Sequence, residues 1–128
     1  MKRIIFWLVA LSIIALFVAM LLPAETGPTL NKNTRCRVVL MMRLKAEIGN
    51  YKYKFGSYPT GNYAQILKKL FGDDPTIEFF RVDPWGTPFD INFPSTNSFI
   101  ISSAGKDKIF GDTDDIIFNS VSNDFAKP

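Results

Sequence analysis

In Phe89-Asp90-Ile91-Asn92-Phe93-Pro94-Ser95-Thr96-Asn97-Ser98-Phe99-Ile100-Ile101-Ser102 the hydrophobic period of the chain becomes two. Phe89, Ile91 and Phe93 alternate with Asp90 and Asn92, and Phe99 and Ile101 alternate with Ile100 and Ser102. Successive side chains of a strand point to opposite faces, so the pattern predicts two half-buried strands. Pro94-Ser95-Thr96-Asn97 joins them as a hairpin loop, and Ile116-Ile117-Phe118 supplies a third strand, giving an antiparallel meander. Residues Thr76 to Val82 are apolar enough for another short strand, although they lack clean alternation.

Upstream the period is helical. From Thr34 the residues Cys36, Leu40, Leu44, Ile48, Tyr51 and Phe55 recur at steps of three and four, with Arg37, Lys45, Lys52 and Lys54 elsewhere. This predicts an amphipathic helix that stops at Gly56 and turns its apolar stripe to the core. Asn62 as N-cap with Gln65 at the third helical position predicts a second, short helix, carrying Tyr63, Ile66, Leu67, Leu70 and Phe71 on one face and stopped by Gly72. Asp83-Pro84-Trp85-Gly86 has the residues of a type I turn, with Trp85 placed to fold over the core.

The run Ile4 to Leu22 contains no charge. As a helix it would cover roughly 28 Å, close to the ~30 Å apolar thickness of a bilayer. Lys2 and Arg3 precede it and Leu22-Pro23-Ala24 offers a mediocre cleavage site, so anchor and export signal both fit; the length favours an uncleaved anchor with its N-terminus inside. The expected organisation is 1–24 anchor or signal, 25–33 linker broken by Pro23, Gly27 and Pro28 around it, and 34–128 one small α+β domain. Cys36 is the single cysteine and closes no internal disulfide, and with no His in the chain it reads as a small apolar residue.

Charge is unevenly spread. Residues 1–69 hold 11 Lys/Arg against 2 acids, and residues 70–128 hold 4 against 10. A basic surface for nucleic acid is not indicated; the basic half faces anionic lipid, the acidic face of a neighbouring copy, or simply solvent.

Four aspartates, Asp107, Asp112, Asp114 and Asp115, crowd one short segment. All ionise at neutral pH in model compounds, so their proximity is costly unless water, Lys106 and Lys108 or a bound cation offsets the repulsion. Asp112 and Asp114 point to one side if extended, and a loop opened at Gly105 folds Asp107 back towards them. Such oxygen-only ligands suit Ca²⁺; the EF-hand alternation is missing, and zinc is disfavoured for want of His and of a second Cys. No Gly-rich phosphate loop, Ser-His or Cys-His set accompanies them, so no enzyme is expected.

Three motifs in order, Tyr51 through Gly56-Ser57-Tyr58-Pro59-Thr60, then Asp83-Pro84-Trp85-Gly86-Thr87-Pro88-Phe89, then Ser103-Ala104-Gly105 and Asp107 through Gly111 to Asp114-Asp115-Ile116, give a chain that resembles the major pseudopilin of type II secretion over about residues 34–118. The resemblance implies a pilin-like domain with a Ca²⁺-binding loop. It places ligand carboxylates on Asp107 and Asp114 and then on Asp115, with backbone carbonyls near Ala104 and Ile109; Asp112 has no counterpart there, and Lys108 stands where the family has Gly. It also implies a single-pass protein of the bacterial inner membrane with its C-terminal domain in the periplasm, partnered by other pseudopilins or secretion-machine components, or by its own copies as a homo-oligomer. Residues 1–24 depart from the family in having no Gly and no Glu. The expected function is that of a membrane-anchored structural subunit or accessory factor of a type II secretion or pilus-like system; the alternative is a stand-alone envelope binding module on the same scaffold that does not polymerise.

Overall fold

Gly56, with φ 76°, ends the longest helix in the left-handed conformation that its lack of a side chain permits, and it donates its N–H to the Lys52 carbonyl at 2.8 Å. The computed structural model describes residues 30–126, so the expected anchor and most of the linker lie outside the described residues. Among the described residues no helix is long and apolar enough to cross a membrane.

Helix α1 starts at Lys32–Thr34, runs through a π-helical stretch Arg35–Met41 and continues as Met42–Phe55. It begins two residues earlier than Thr34 because Asn31 caps it, its side chain accepting the Asn33 N–H at 2.9 Å. Cys36, Leu40, Leu44 and Ile48 are buried as the stripe requires, and Met41 joins them with no exposed surface. An i→i+5 turn admits one extra residue, which carries Met41 onto the face that Cys36 occupies. At the other end Tyr51 is half-buried and Phe55 is exposed, the two rings meeting each other at 4.5 Å instead of reaching the core.

Helix α2, Tyr63–Phe71, has the expected capping box: Asn62 Oδ1 accepts the Gln65 N–H at 3.0 Å and Gln65 Oε1 accepts the Asn62 N–H at 2.9 Å. Ile66 and Leu67 are buried, and the Tyr63 hydroxyl donates to the Phe80 carbonyl at 2.5 Å. The segment expected as a strand from Thr76 is instead a 3₁₀ helix, Pro75–Phe80. Asp74 caps it by accepting the Thr76 N–H, and Pro75 presets the first φ; these local signals outweigh an apolar content that never alternated. Phe80 is buried and stacks on Phe71 at 4.7 Å.

Four antiparallel strands follow in the order β1-β2-β3-β4: β1 Asp90–Ser95, β2 Ser98–Ser103, β3 Ile116–Asn119 and β4 Asp124–Phe125. The hairpin tip is tighter than the four-residue loop expected, since Pro94 and Ser95 belong to β1 and Ser95 pairs with Ser98. Proline is tolerated there because β1 is an edge strand and its register shifts between Asn92 and Ser95. Strand β4 is a further addition, held by the Phe118–Phe125 pair. The helix α1 stripe packs with Phe89, Phe99, Ile101, Ile116 and Phe118 as the core.

The turn at Asp83 ties this core to the loop beyond β2. Asp83 is only 3% exposed; its Oδ1 accepts the N–H groups of Trp85 and Thr87 at 2.9 Å each, and its Oδ2 accepts the Ser103 hydroxyl at 2.6 Å. Trp85 packs against the core half-buried. Beneath them the Cys36 thiol is pushed up to about 11 by burial, with the Ser103 hydroxyl opposing the shift, so it is neutral and inert at physiological pH.

Candidate metal centre

Ser103 pairs with Ile116, so residues 104–115 form a loop closed at its base by the β2–β3 ladder. Gly105 opens it with φ 68°. A Cβ at that position would meet the Asp114 carbonyl carbon and Cγ at 2.9 Å, so the two ends of the loop touch only because residue 105 has no side chain. The aspartates then fasten the loop to itself. Asp107 Oδ1 accepts the Ile109 N–H at 2.8 Å, Asp114 Oδ2 the Asp107 N–H at 3.1 Å, Asp112 Oδ1 the Asp114 N–H at 3.1 Å, and Asp115 Oδ2 the Gly111 N–H at 2.7 Å.

This folding brings one oxygen each of Asp107, Asp112 and Asp114 within 4.8 Å of one another. Oxygens bound to one Ca²⁺ at about 2.4 Å each are at most about 4.8 Å apart, so the three are close enough together to converge on one such ion. Asp115 stands beside the trio with its Oδ1 buried and accepting no hydrogen bond, the arrangement a nearby positive charge would relieve. The donors are all hard oxygens, a set that could hold a hard divalent cation such as Ca²⁺ or Mg²⁺ and does not suit metals that prefer sulfur or imidazole. Of the six positions expected to contribute, Asp107, Asp112 and Asp114 bring one oxygen each together, and Asp115 is not among that trio. Ala104 is fully buried at the base of the loop, and Ile109 is exposed near its tip with its N–H on Asp107.

The three carboxylates do not titrate alike. Hydrogen bonding to Asp114, then to Asp107, raises Asp112 to about 6, and the same contact with Asp112, followed by the Asp107 N–H, lowers Asp114. Asp112 and Asp114 thus titrate as a coupled pair that shares one proton below about pH 6. A folded-state value above the ordinary 3.8 means that the contribution of Asp112 to stability is complete below about pH 4 and is lost as pH rises through about 6. Asp114 works oppositely and below 3.8, outside that window. Without divalent ions the melting temperature is therefore expected to rise when pH falls from 7 to 5, and Asp112→Asn to flatten the rise. A wild-type melt independent of pH between 5 and 7 would contradict the shared proton.

Lys108 takes φ 65°, a left-handed conformation that costs a side-chain-bearing residue roughly 1–2 kcal/mol. Lys108→Gly is expected to raise stability by about 0.5–1 kcal/mol after the added freedom of the unfolded chain is subtracted. Gly105→Ala meets both the φ restriction and the Asp114 backbone, and is expected to lose about 2–4 kcal/mol. Urea midpoints of the two variants should move in opposite directions; a shift of the same sign would show that the loop relaxes freely.

The residue that sequence reasoning missed as a support of this loop is Ser103, whose Oγ bonds Asp83 and also accepts the Gly105 N–H at 3.3 Å. Its only signal was the end of an alternating strand immediately before a glycine. Comparison with family models, curated proteins and solved structures found no match for this chain.

Proposed function

We propose that the chain is a pseudopilin-like structural subunit or accessory factor of a type II secretion or pilus-like system, anchored in the bacterial inner membrane by residues 1–24, with a periplasmic domain stabilised by Ca²⁺. The observation that carries this reading is the position of the acidic trio: Asp107, Asp112 and Asp114 sit in the β2–β3 loop of a meander packed on one long helix, the order of elements that the pseudopilin resemblance implies. A bound Ca²⁺ would be held by Asp107, Asp112 and Asp114, with Asp115 beside it, and would supply charge neutralisation and loop rigidity. The role is assembly, not turnover. The carboxylates of the trio themselves accept backbone N–H groups, and the one thiol is buried and neutral.

Chemical crosslinking of the full chain in its native membranes tests the role. A ladder of multimers, or links to secretion components, is the expected result. Discrete links to unrelated envelope proteins with no ladder would favour the stand-alone binding module, to which the prolines at 23 and 28 are better suited than to one unbroken rod.

A further inference from the structure

The acidic loop stands at the end of the domain where α1 begins. Ser103, the last residue of β2, meets the Cys36 thiol with its hydroxyl, and beyond it Thr113, Asp114 and Asp115 face Asn31 and Lys32 across a cleft of about 530 Å³. The anchor read from the sequence ends at Ala24, seven residues before Asn31, and a chain of seven residues reaches at most about 25 Å. The other end of α1, at Phe55, lies roughly 35 Å away. The loop end is therefore the one held within reach of the bilayer surface, and its side chains suit that place. Leu30 is 58%, Ile109 64% and Phe110 45% exposed, three apolar side chains at one end of a small domain. Around them Lys32, Arg37, Lys106 and Lys108 form no ion pair among the described residues. These four cations balance the four aspartates of the loop, so a divalent ion on the trio leaves the set with a net charge of +2.

We propose that the Ile109–Phe110 tip is a second contact with the membrane, switched on by Ca²⁺: the two side chains enter the interfacial layer of an anionic leaflet while Lys106 and Lys108, just before them, meet lipid phosphates. The inference rests on the reading of an anchored, Ca²⁺-stabilised domain and adds the surface by which that domain lies on its membrane. An interfacial contact needs apolar side chains that dip below the headgroups and cations whose alkyl stems follow them. Lys108-Ile109-Phe110 supplies both in three consecutive residues. Two apolar side chains bind a vesicle weakly by themselves. Joined to an anchor by seven residues they meet the surface at high effective concentration, and weak intrinsic affinity is enough. Without the ion the cations and carboxylates cancel, and the loop gains little from an anionic surface. With it the aspartates are neutralised and the remaining positive charge is drawn to the headgroups, so Ca²⁺ sets the orientation of the domain.

The test uses the full chain in vesicles of phosphatidylethanolamine and phosphatidylglycerol, with Ile109→Cys carrying an environment-sensitive fluorophore. Position 109 is exposed, so the fold is retained, and Cys36 is fully buried and escapes the label. With Ca²⁺ the emission should shift to the blue, a nitroxide on the lipid chains should quench it and aqueous iodide should not; chelator should reverse all three. Lys106→Glu with Lys108→Glu should cut the lipid quenching at least about tenfold, as for two attractive charges turned repulsive at an anionic surface. A label at Tyr53→Cys, 94% exposed towards the far end of α1, should stay open to iodide throughout. Equal lipid quenching in phosphatidylcholine vesicles, or in chelator, would overturn the anionic, Ca²⁺-controlled contact. A label at 109 shielded from iodide yet untouched by the lipid nitroxide would overturn it too, since protein then covers the tip. A label open to iodide in every condition, in a chain that alkaline carbonate does not extract and that Ca²⁺ still stabilises against heat, would overturn the contact and leave the underlying reading standing. Extraction by carbonate would overturn the anchor, and the contact with it.

Discussion

Chelation of Ca²⁺ is expected to lower the melting temperature of the domain by about 10–20 °C. A ligand that binds only the folded state adds RT ln(1 + [L]/Kd), about 3 kcal/mol at a hundredfold excess over Kd, and a domain of this size moves about 4–8 °C per kcal/mol. The effect is large because total stability of such a domain is only about 5–15 kcal/mol and no disulfide reinforces it. Asp107→Asn with Asp114→Asn is the informative variant. It keeps oxygen acceptors for the Ile109 and Asp107 N–H groups while removing the charge that a cation needs, so its melt should be insensitive to chelator. A wild-type melt unchanged by Ca²⁺ or chelator would remove the ion from the proposal altogether.

What could be read from sequence was whatever repeats locally. Cys36, Leu40, Leu44 and Ile48 share a helical step, Asn62 and Gln65 form a cap within one turn, and β2 alternates, so each element was legible where its own residues encode it. Met41 was not, because a π-turn is a response to packing and leaves no period of its own. Strand β4 was not, because two residues carry no pattern and Phe125 finds its place only against Phe118. The 3₁₀ helix had its signals, Asp74 and Pro75, but an apolar run drew attention from them.

The acidic cluster divides in the same way. Its existence, and the pairing of Asp107 with Asp114, followed from composition and from resemblance. That Asp112 and not Asp115 brings its oxygen to those of Asp107 and Asp114 was not legible: the loop passes through Lys108 at φ 65° and Gly111 at φ 103°, and no local pattern specifies such an angle at a lysine. Backbone angles of that kind are paid for elsewhere in the fold, here by five N–H bonds to Asp and Ser side chains within residues 103–115.

Asp83→Ala is expected to remove about 3–5 kcal/mol, enough to leave much of the population unfolded at 37 °C. The carboxylate is buried and holds three donors, the N–H groups of the half-buried Trp85 and Thr87 and the hydroxyl of the fully buried Ser103, which lose their acceptor when it is gone. Asp83→Asn separates charge from geometry. Its remaining oxygen still serves Trp85 and Thr87, but its amide must donate to Ser103 Oγ, which already accepts from Gly105, and a cost of about 1–2 kcal/mol is expected. The order Ala below Asn below wild type in urea midpoint is the readout, and an Asp83→Ala midpoint equal to wild type would show that the turn is ornamental to the fold. Because Ser103 is the last residue of β2 and Gly105 opens the acidic loop, the same variants also report on coupling. If the turn at Asp83 fixes the base on which the loop stands, Asp83→Asn should lose part of the stabilisation by Ca²⁺ although residue 83 belongs to no ligand set, and an undiminished Ca²⁺ shift in that variant would place the whole preorganisation of the trio within residues 104–115.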